Sequence, residues 1–170
     1  MANIVILGSG GFGTSLAVMT YRYGHNVTVW SAFENEIEAI KRDGEHKKLL
    51  PGHKISPEIK LTTDISCVTD KDIILFAIPS AFLRNVAQMA KPYITSKSVI
   101  VNTGKGLEDK TFNRLSVVLK EEFPENKITI LSGPSHAEEV VKSMPTTVVV
   151  ASDDIDAAYY VQDILSNEAF

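Results

Sequence analysis

The residues best spaced for chemistry open the chain: in VILGSGGFGTSLA, Gly8, Gly10 and Gly13 match G-x-G-x-x-G directly after an apolar run. A turn of this kind serves a pyrophosphate. Its first glycine permits a tight turn, its second lets phosphate oxygens approach the backbone, and its third lets the following helix pack closely on a sheet. The free amides of that helix N-terminus and its dipole favour the phosphate charge. Gly11 and Phe12 fill the variable positions, where their amides and the Phe12 ring can face the same ligand. A structural turn without a ligand is the competing account of the glycines alone.

Two further polar segments follow apolar runs. NTGKGLE, residues 102–108, sets Lys105 between two glycines, either as a cation for an anion or carbonyl oxygen or as a solvated loop lysine. SGPSHAEE, residues 132–139, puts Ser135 and Glu138 at capping-box spacing, which predicts a helix start whose amides can still meet a ligand. In IPS, Pro79 stiffens a turn, Ser80 is expected to cap the next helix, and the segment can wall a cofactor. His46 and His53 lie in a long segment without partners at metal spacing, and His25 is expected in a turn on the opposite face, so no metal site is expected. His136 is placed for an acid or base role, and Cys67 reads as a small packed residue.

These groups need a scaffold. Asn3–Leu7 is short, β-branched and apolar and stops at Gly8, which predicts a buried strand. A helix with Leu16, Ala17 and Thr20 on its inner stripe follows, ended by Gly24, and Asn26–Trp30 forms the second strand. Residues 33–43 carry Ile37 and Ile40 at helical spacing and close at Gly44, whereas residues 45–59, with Pro51, Gly52 and Pro57, read as a loop with at most short structure. Further strands are expected at Lys60–Thr62, 72–77, 98–101, 128–131 and 146–151, and helices at Ser80–Ala90, 111–122, 135–142 and Ile155–Leu165. Strands that are apolar at every position require helices on both faces, so the expected fold is α/β: one Rossmann-like domain, residues 1–170, with a doubly wound, mostly parallel sheet. Ligands of such sheets sit outside the carboxyl ends of the strands, where the glycine turn, Lys105 and Ser135 all fall.

The end of the second strand usually separates NAD from NADP, an acid accepting from the ribose 2′-hydroxyl or an arginine meeting the 2′-phosphate. Here it reads VWSAFENE, with no acid at Trp30 or Ser31 and no arginine in residues 31–36. Glu34 can reach a ribose or lie solvated at a helix start, so NAD or NADP stays an open choice.

With 17 Lys plus Arg against 21 Asp plus Glu, the net charge of -4 gives no general reason to bind nucleic acid or an anionic membrane. One cysteine allows no internal disulfide, the N-terminus has no signal-like segment, and the apolar runs fall well short of the roughly 20 residues of a membrane span. The expected setting is the cytoplasm.

Four segments together resemble the bacterial NAD(P)-dependent glycerol-3-phosphate dehydrogenases. GSGGFGTSLA is similar to that family's GxGxxGTALA, HNVTVW to its second strand ending in Trp, NTGKGLE to its KGxE loop, and SGPSHAEEV to its GPSxAxEV segment. The resemblance implies reversible hydride transfer between NAD(P)H and dihydroxyacetone phosphate, giving sn-glycerol 3-phosphate for phospholipid synthesis. It implies that Gly11 and Phe12 contact the nicotinamide nucleotide, that Lys105 touches cofactor and substrate, that Gly133 and Ser135 border the substrate, and that Ala137 lies against the cofactor. Phe33 stands where bacterial members commonly carry an arginine at the cofactor, and Pro79 is expected beside it. The family's acid/base lysine and its phosphate-holding Asp, Arg and Asn belong to a C-terminal helical domain that this chain does not contain. No catalytic residue is therefore expected in residues 1–170, and an apolar face left open makes a homodimer an open outcome. A nicotinamide-sensing module and a related hydroxy-acid dehydrogenase are the alternatives. The Lys105 and Ser135 loops speak against a sensor, which has no need of substrate-facing segments.

Overall fold

The computed structural model describes residues 1–170. Its elements, in chain order, are β1 (Asn3–Leu7), α1 (Gly11–Arg22), β2 (Asn26–Trp30), α2 (Glu34–Asp43), β3 (Glu45–His46), β4 (Leu50–Lys54) and β5 (Lys60–Thr62). They continue with β6 (Ile73–Phe76), α3 (Ser80–Ala90), β7 (Val99–Asn102), α4 (Leu115–Glu122), β8 (Lys127–Ser132), α5 (Ala137–Val141), β9 (Val149–Ser152) and α6 (Ile155–Leu165). Seven strands form one sheet in the order β5-β2-β1-β6-β7-β8-β9, parallel except for β9, which runs antiparallel to β8. From β1 the chain winds outward through β2 to β5, then returns to β6 and winds the other way. This reversal leaves a crevice at the carboxyl ends of β1 and β6.

The central strands explain their own composition. Ile4, Ile6, Ile73 and Leu75 face one core with Leu16 of α1, Val140 of α5 and Val161 of α6. Their neighbours Val5, Leu7, Ile74 and Phe76 face a second core with Leu83 of α3 and Val118 and Leu119 of α4. Every side chain of β6 is thus buried on one face or the other, as a strand covered by helices on both sides requires.

Several boundaries differ from the sequence reading. Residues 45–59 are not simply a loop: they contain the β3–β4 hairpin, whose Leu50 reaches the core at 1% exposure. Leu50 is the only strongly apolar residue in its two strands, with Leu49 half exposed in the turn, so the hairpin lacks the alternation that announces a strand. The helix expected from residue 111 begins at Leu115, because Phe112 adopts φ +57° and Glu108 and Asn113 close a turn through a backbone bond of 3.0 Å. The last strand begins at Val149 and not at residue 146. Neither expected serine cap forms. Pro79 caps α3 without a side-chain bond, with Ser80 already in the helix. α5 starts at Ala137 behind His136, and the Ser135 hydroxyl turns to the Gly133 carbonyl at 3.4 Å.

One ionic cluster fastens the Lys105 segment to the scaffold. Arg84 of α3 donates from Nε and Nη2 to the two carboxylate oxygens of Glu108 at 2.5 and 2.9 Å, and also reaches Glu121 and Glu122 of α4 at 2.6 and 2.9 Å. The Arg84 guanidinium first, and then the Thr111 hydroxyl, hold the Glu108 carboxyl down at about 2, against an ordinary 4.5. A folded-state value below the unfolded one gives stability that is complete above the ordinary value and disappears as pH falls through the folded one. The gap in thermal midpoint between the unaltered chain and Glu108→Gln should therefore close as pH drops from about 4.5 to about 2. A gap that stayed constant over that range in a thermal-denaturation series would show that the ion pair does not hold the loop.

Candidate functional site

The glycine turn is tight for reasons local to its backbone. Gly8 leaves β1 at φ +120° with its amide donating to the Trp30 carbonyl at 2.8 Å, and a Cβ there would lie 2.3 Å from the Ala77 carbonyl oxygen. A Cβ on Gly13 would lie 2.2 Å from the Gly8 carbonyl oxygen. Both positions exclude side chains so that α1 can press its first turn onto the ends of β1 and β6. Gly10 is different: its φ of -60° and ψ of 173° suit any residue, and a Cβ there would meet nothing within 4 Å. Its bareness preserves open space above the turn. α1 begins with no side-chain cap and no acid in its first turn, so its dipole and leading amides face that space without a counter-charge from the helix itself.

The space divides on either side of the turn. A cleft of about 1060 Å³ is lined by Gly8, Gly10, Phe33, Pro79 and Phe82, with the buried Trp30 among its walls. A smaller cavity of about 260 Å³ is lined by Phe12, Thr103, Lys105, Ser135, His136 and Ala137. Gly11, Gly13 and Gly133 line neither. Gly11 packs between Ala137 and Leu49, each about 3.6 Å from where its Cβ would be. Gly133 faces the Thr147 carbonyl across a gap that a Cβ would cut to 2.5 Å, and its own carbonyl accepts from Lys105 Nζ at 3.3 Å. The structure thus sorts Gly8, Gly10, Phe33 and Pro79 into one compartment and Phe12, Lys105, Ser135 and Ala137 into the other, with Gly11, Gly13 and Gly133 packed behind them.

The sequence reading missed the carboxylate of the larger compartment. Glu34 is exposed at the first position of α2, and it is Glu36, a little over half a turn later, that turns inward. Its Oε2 accepts from Ser9 Oγ at 2.5 Å and from Ser31 Oγ at 3.1 Å, and its Oε1 lies 3.1 Å from Nε2 of His46. His46, 5% exposed, comes from the unanticipated hairpin. His25 lies at the opposite end of the strands, where its Nδ1 accepts from the Ala2 amide at 3.1 Å. Burial foremost, with the nearby Asp64 charge, pushes the Cys67 thiol up to about 11, in keeping with a packed side chain.

Residues 3–158 match the family described as NAD-dependent glycerol-3-phosphate dehydrogenase N-terminus. The chain belongs to that family. A glycerol-3-phosphate dehydrogenase, NAD(P)+, of Desulfitobacterium hafniense is 41% identical over 170 residues, covering 100% of this chain and 48% of that protein. One of Fusobacterium nucleatum is 39% identical over 173 residues, covering 100% of this chain and 52% of its own length. The crystal structure of glycerol-3-phosphate dehydrogenase from Coxiella burnetii superposes with a TM-score of 0.93 at 29% identity, over 99% of this chain and 52% of that one. A UDP-D-ManNAc dehydrogenase from Pyrococcus horikoshii shares the fold, with a TM-score of 0.76 at 12% identity over 96% of this chain and 44% of that one. The chain spans about half the length of these relatives. No helix is long and apolar enough to cross a membrane.

Within this dehydrogenase family domain the glycines have separable tasks, which substitution can resolve. Gly13→Ala should cost about 1–3 kcal/mol or more, because backbone must move to admit the methyl group. Gly10→Ala should leave stability unchanged or raise it by about 0.4–1 kcal/mol through the unfolded state. Urea denaturation of both variants checks the ordering, and equal losses would contradict the division.

Proposed function

We propose that this chain is the cofactor-binding half of a glycerol-3-phosphate dehydrogenase, holding NAD(H) or NADP(H) for the interconversion of dihydroxyacetone phosphate and sn-glycerol 3-phosphate. The observation that carries the reading is the open space over Gly10, at the uncapped start of α1 and between two compartments, in a chain of this family. The residues fit a dinucleotide. Leading amides of α1, with those of Gly11 and Phe12 among them, suit the pyrophosphate. Phe33 and Phe82, 70% and 59% exposed in the larger cleft, offer apolar surface to an adenine, with Pro79 beneath.

When bound, the nicotinamide supplies the hydride that converts the ketone carbon of dihydroxyacetone phosphate into a secondary alcohol. The chain's own part is to bind and orient. Lys105, steered by the Gly133 carbonyl, presents an ammonium in the smaller compartment, where it can hold a carbonyl or phosphate oxygen. Ser135 borders the same compartment, and Ala137 keeps the wall beside Gly11 low enough for a flat ring. On the family resemblance drawn from the sequence, the proton donor and the side chains that hold the substrate phosphate fall outside residues 1–170, and the chain spans about half of the relatives' length.

Titrating the 170-residue chain with NADH, read by nicotinamide fluorescence, should give saturable binding, weakened at least about tenfold in Gly10→Ala without loss of the fold. Absence of binding to both NADH and NADPH would remove the reading. The chain alone should not reduce dihydroxyacetone phosphate. Joined to the C-terminal half of the Desulfitobacterium hafniense relative it should, and Lys105→Ala should then lower kcat/KM by about 10²–10³. Unchanged kinetics would take the substrate-facing role from Lys105.

A further inference from the structure

Resting on the dinucleotide reading above, the arrangement around Glu36 goes further and bears on which dinucleotide. NAD and NADP differ at one atom group, the adenosine ribose 2′ position, which carries a hydroxyl or a phosphate. In this chain β2 ends at Trp30 and Ser31 without an acid, so the usual reader of that position is missing from its usual place. The carboxylate of Glu36 fills the gap from the first turn of α2. Ser9 inside the glycine turn and Ser31 at the strand end both donate to Oε2, while His46 stands against Oε1. An ionised carboxylate has about four acceptor sites. Three side chains fix its position, and with the Glu36 side chain 28% exposed in the cleft, a further acceptor site faces ligand space.

The surroundings disfavour a 2′-phosphate. No arginine lines the cleft, and Glu34 and Glu45 add to the negative charge of Glu36, while Asp43 is paired with Arg42 and Lys47. Glu34 and Glu36 also occupy the first turn of α2, where they offset the helix dipole that would otherwise attract an anion. Two lysines line the cleft. Lys47 is engaged by Asp43 at 3.3 Å, and Lys48, exposed, has no carboxylate within 4.0 Å.

We propose that Glu36, held by Ser9, Ser31 and His46, accepts from the ribose 2′-hydroxyl and makes this chain select NAD(H) over NADP(H). The competing account is that Glu36 only ties the glycine turn, β2 and the hairpin together. That role predicts that replacing Glu36 weakens both cofactors alike, so the ratio of affinities is the decisive readout.

Fluorescence titrations of the 170-residue chain with NADH and with NADPH should show NADH bound at least about tenfold more tightly. In Glu36→Gln, NADH should weaken and NADPH should gain, moving the ratio toward unity, while Lys48→Ala should leave the ratio in place. NADPH bound as tightly as NADH by the unaltered chain overturns the proposal even if Glu36→Gln fails to fold. Parallel loss of both cofactors in a folded Glu36→Gln, or NADPH binding that depends on Lys48, overturns it as well. Each of these outcomes leaves dinucleotide binding standing, whereas no binding of either cofactor overturns both readings together.

Discussion

The structure depends on one close backbone approach. At the ends of β1 and β6, the Gly8 and Ala77 carbonyls stand so near the glycine turn that a methyl group on Gly8 or Gly13 would fall well inside van der Waals contact. Strand pairing forces this closeness from both sides: Gly8 is bonded to Trp30 of β2, and Ala77 to Leu7 of β1. With no side chains in the way, α1 starts directly over the strand ends, and Leu16, Ala17, Val18 and Met19 join the first core. The same contact aims the dipole of α1 at the crevice. Fold and site therefore share a cause, since the packing that buries α1 is what exposes its N-terminus to a ligand.

The two compartments inherit different mechanical characters from their elements. The larger cleft is braced by side chains that hydrogen-bond across three segments, with Ser9, Ser31 and His46 converging on Glu36, and Trp30 donating from below to the Thr63 carbonyl at 2.9 Å. A carboxylate fixed by three side chains resists rearrangement while keeping an acceptor site open, which suits the proposed recognition of a fixed group such as a ribose. The smaller compartment is built instead from segments that follow β7 and β8, and its one cation, Lys105, is exposed and bonded only to a carbonyl at 3.3 Å. Its supporting loop is nevertheless secured a few residues on, through Glu108 and Arg84. An exposed ammonium on an anchored loop can, on the proposed reading, meet a ligand oxygen without moving the scaffold.

Much of this was legible in the residues. Continuous apolar strands such as IILF foretold a sheet covered on both faces, and the two-core partition of β6 is the physical content of that pattern. The glycine spacing foretold the turn, and the strand-to-loop transitions placed Lys105 and Ser135 at the right end of the sheet. Illegible were features whose signal lies in tertiary partners. The β3–β4 hairpin is held by Leu50 inserted in the core and by Glu45 accepting from the Gly52 amide at 2.7 Å, neither of which produces a sequence period. Ser135 and Glu138 had the spacing of a cap, but the chain enters α5 later, through His136, because Gly133 must pass close to Thr147 and the Ser135 hydroxyl turns back to it.

Glu36 shows why a site can be missed even when its fold is read correctly. A strand-end acid is recognisable because it occupies a defined position relative to the glycine turn. Glu36 instead sits in the first turn of a helix, among Glu34, Glu36 and Glu38, and in one dimension these acids look like an ordinary solvated helix face. What separates them is the helix phase set by Ile37 and Ile40, both buried, which brings Glu36 against Ser9, Ser31 and His46 and leaves Glu34 exposed at the cleft edge. The hydroxyls of Ser9 and Ser31 then capture it. Any selectivity that Glu36 confers is in this way a consequence of core packing: the residues that bury α2 also decide which of its carboxylates Ser9 and Ser31 hold.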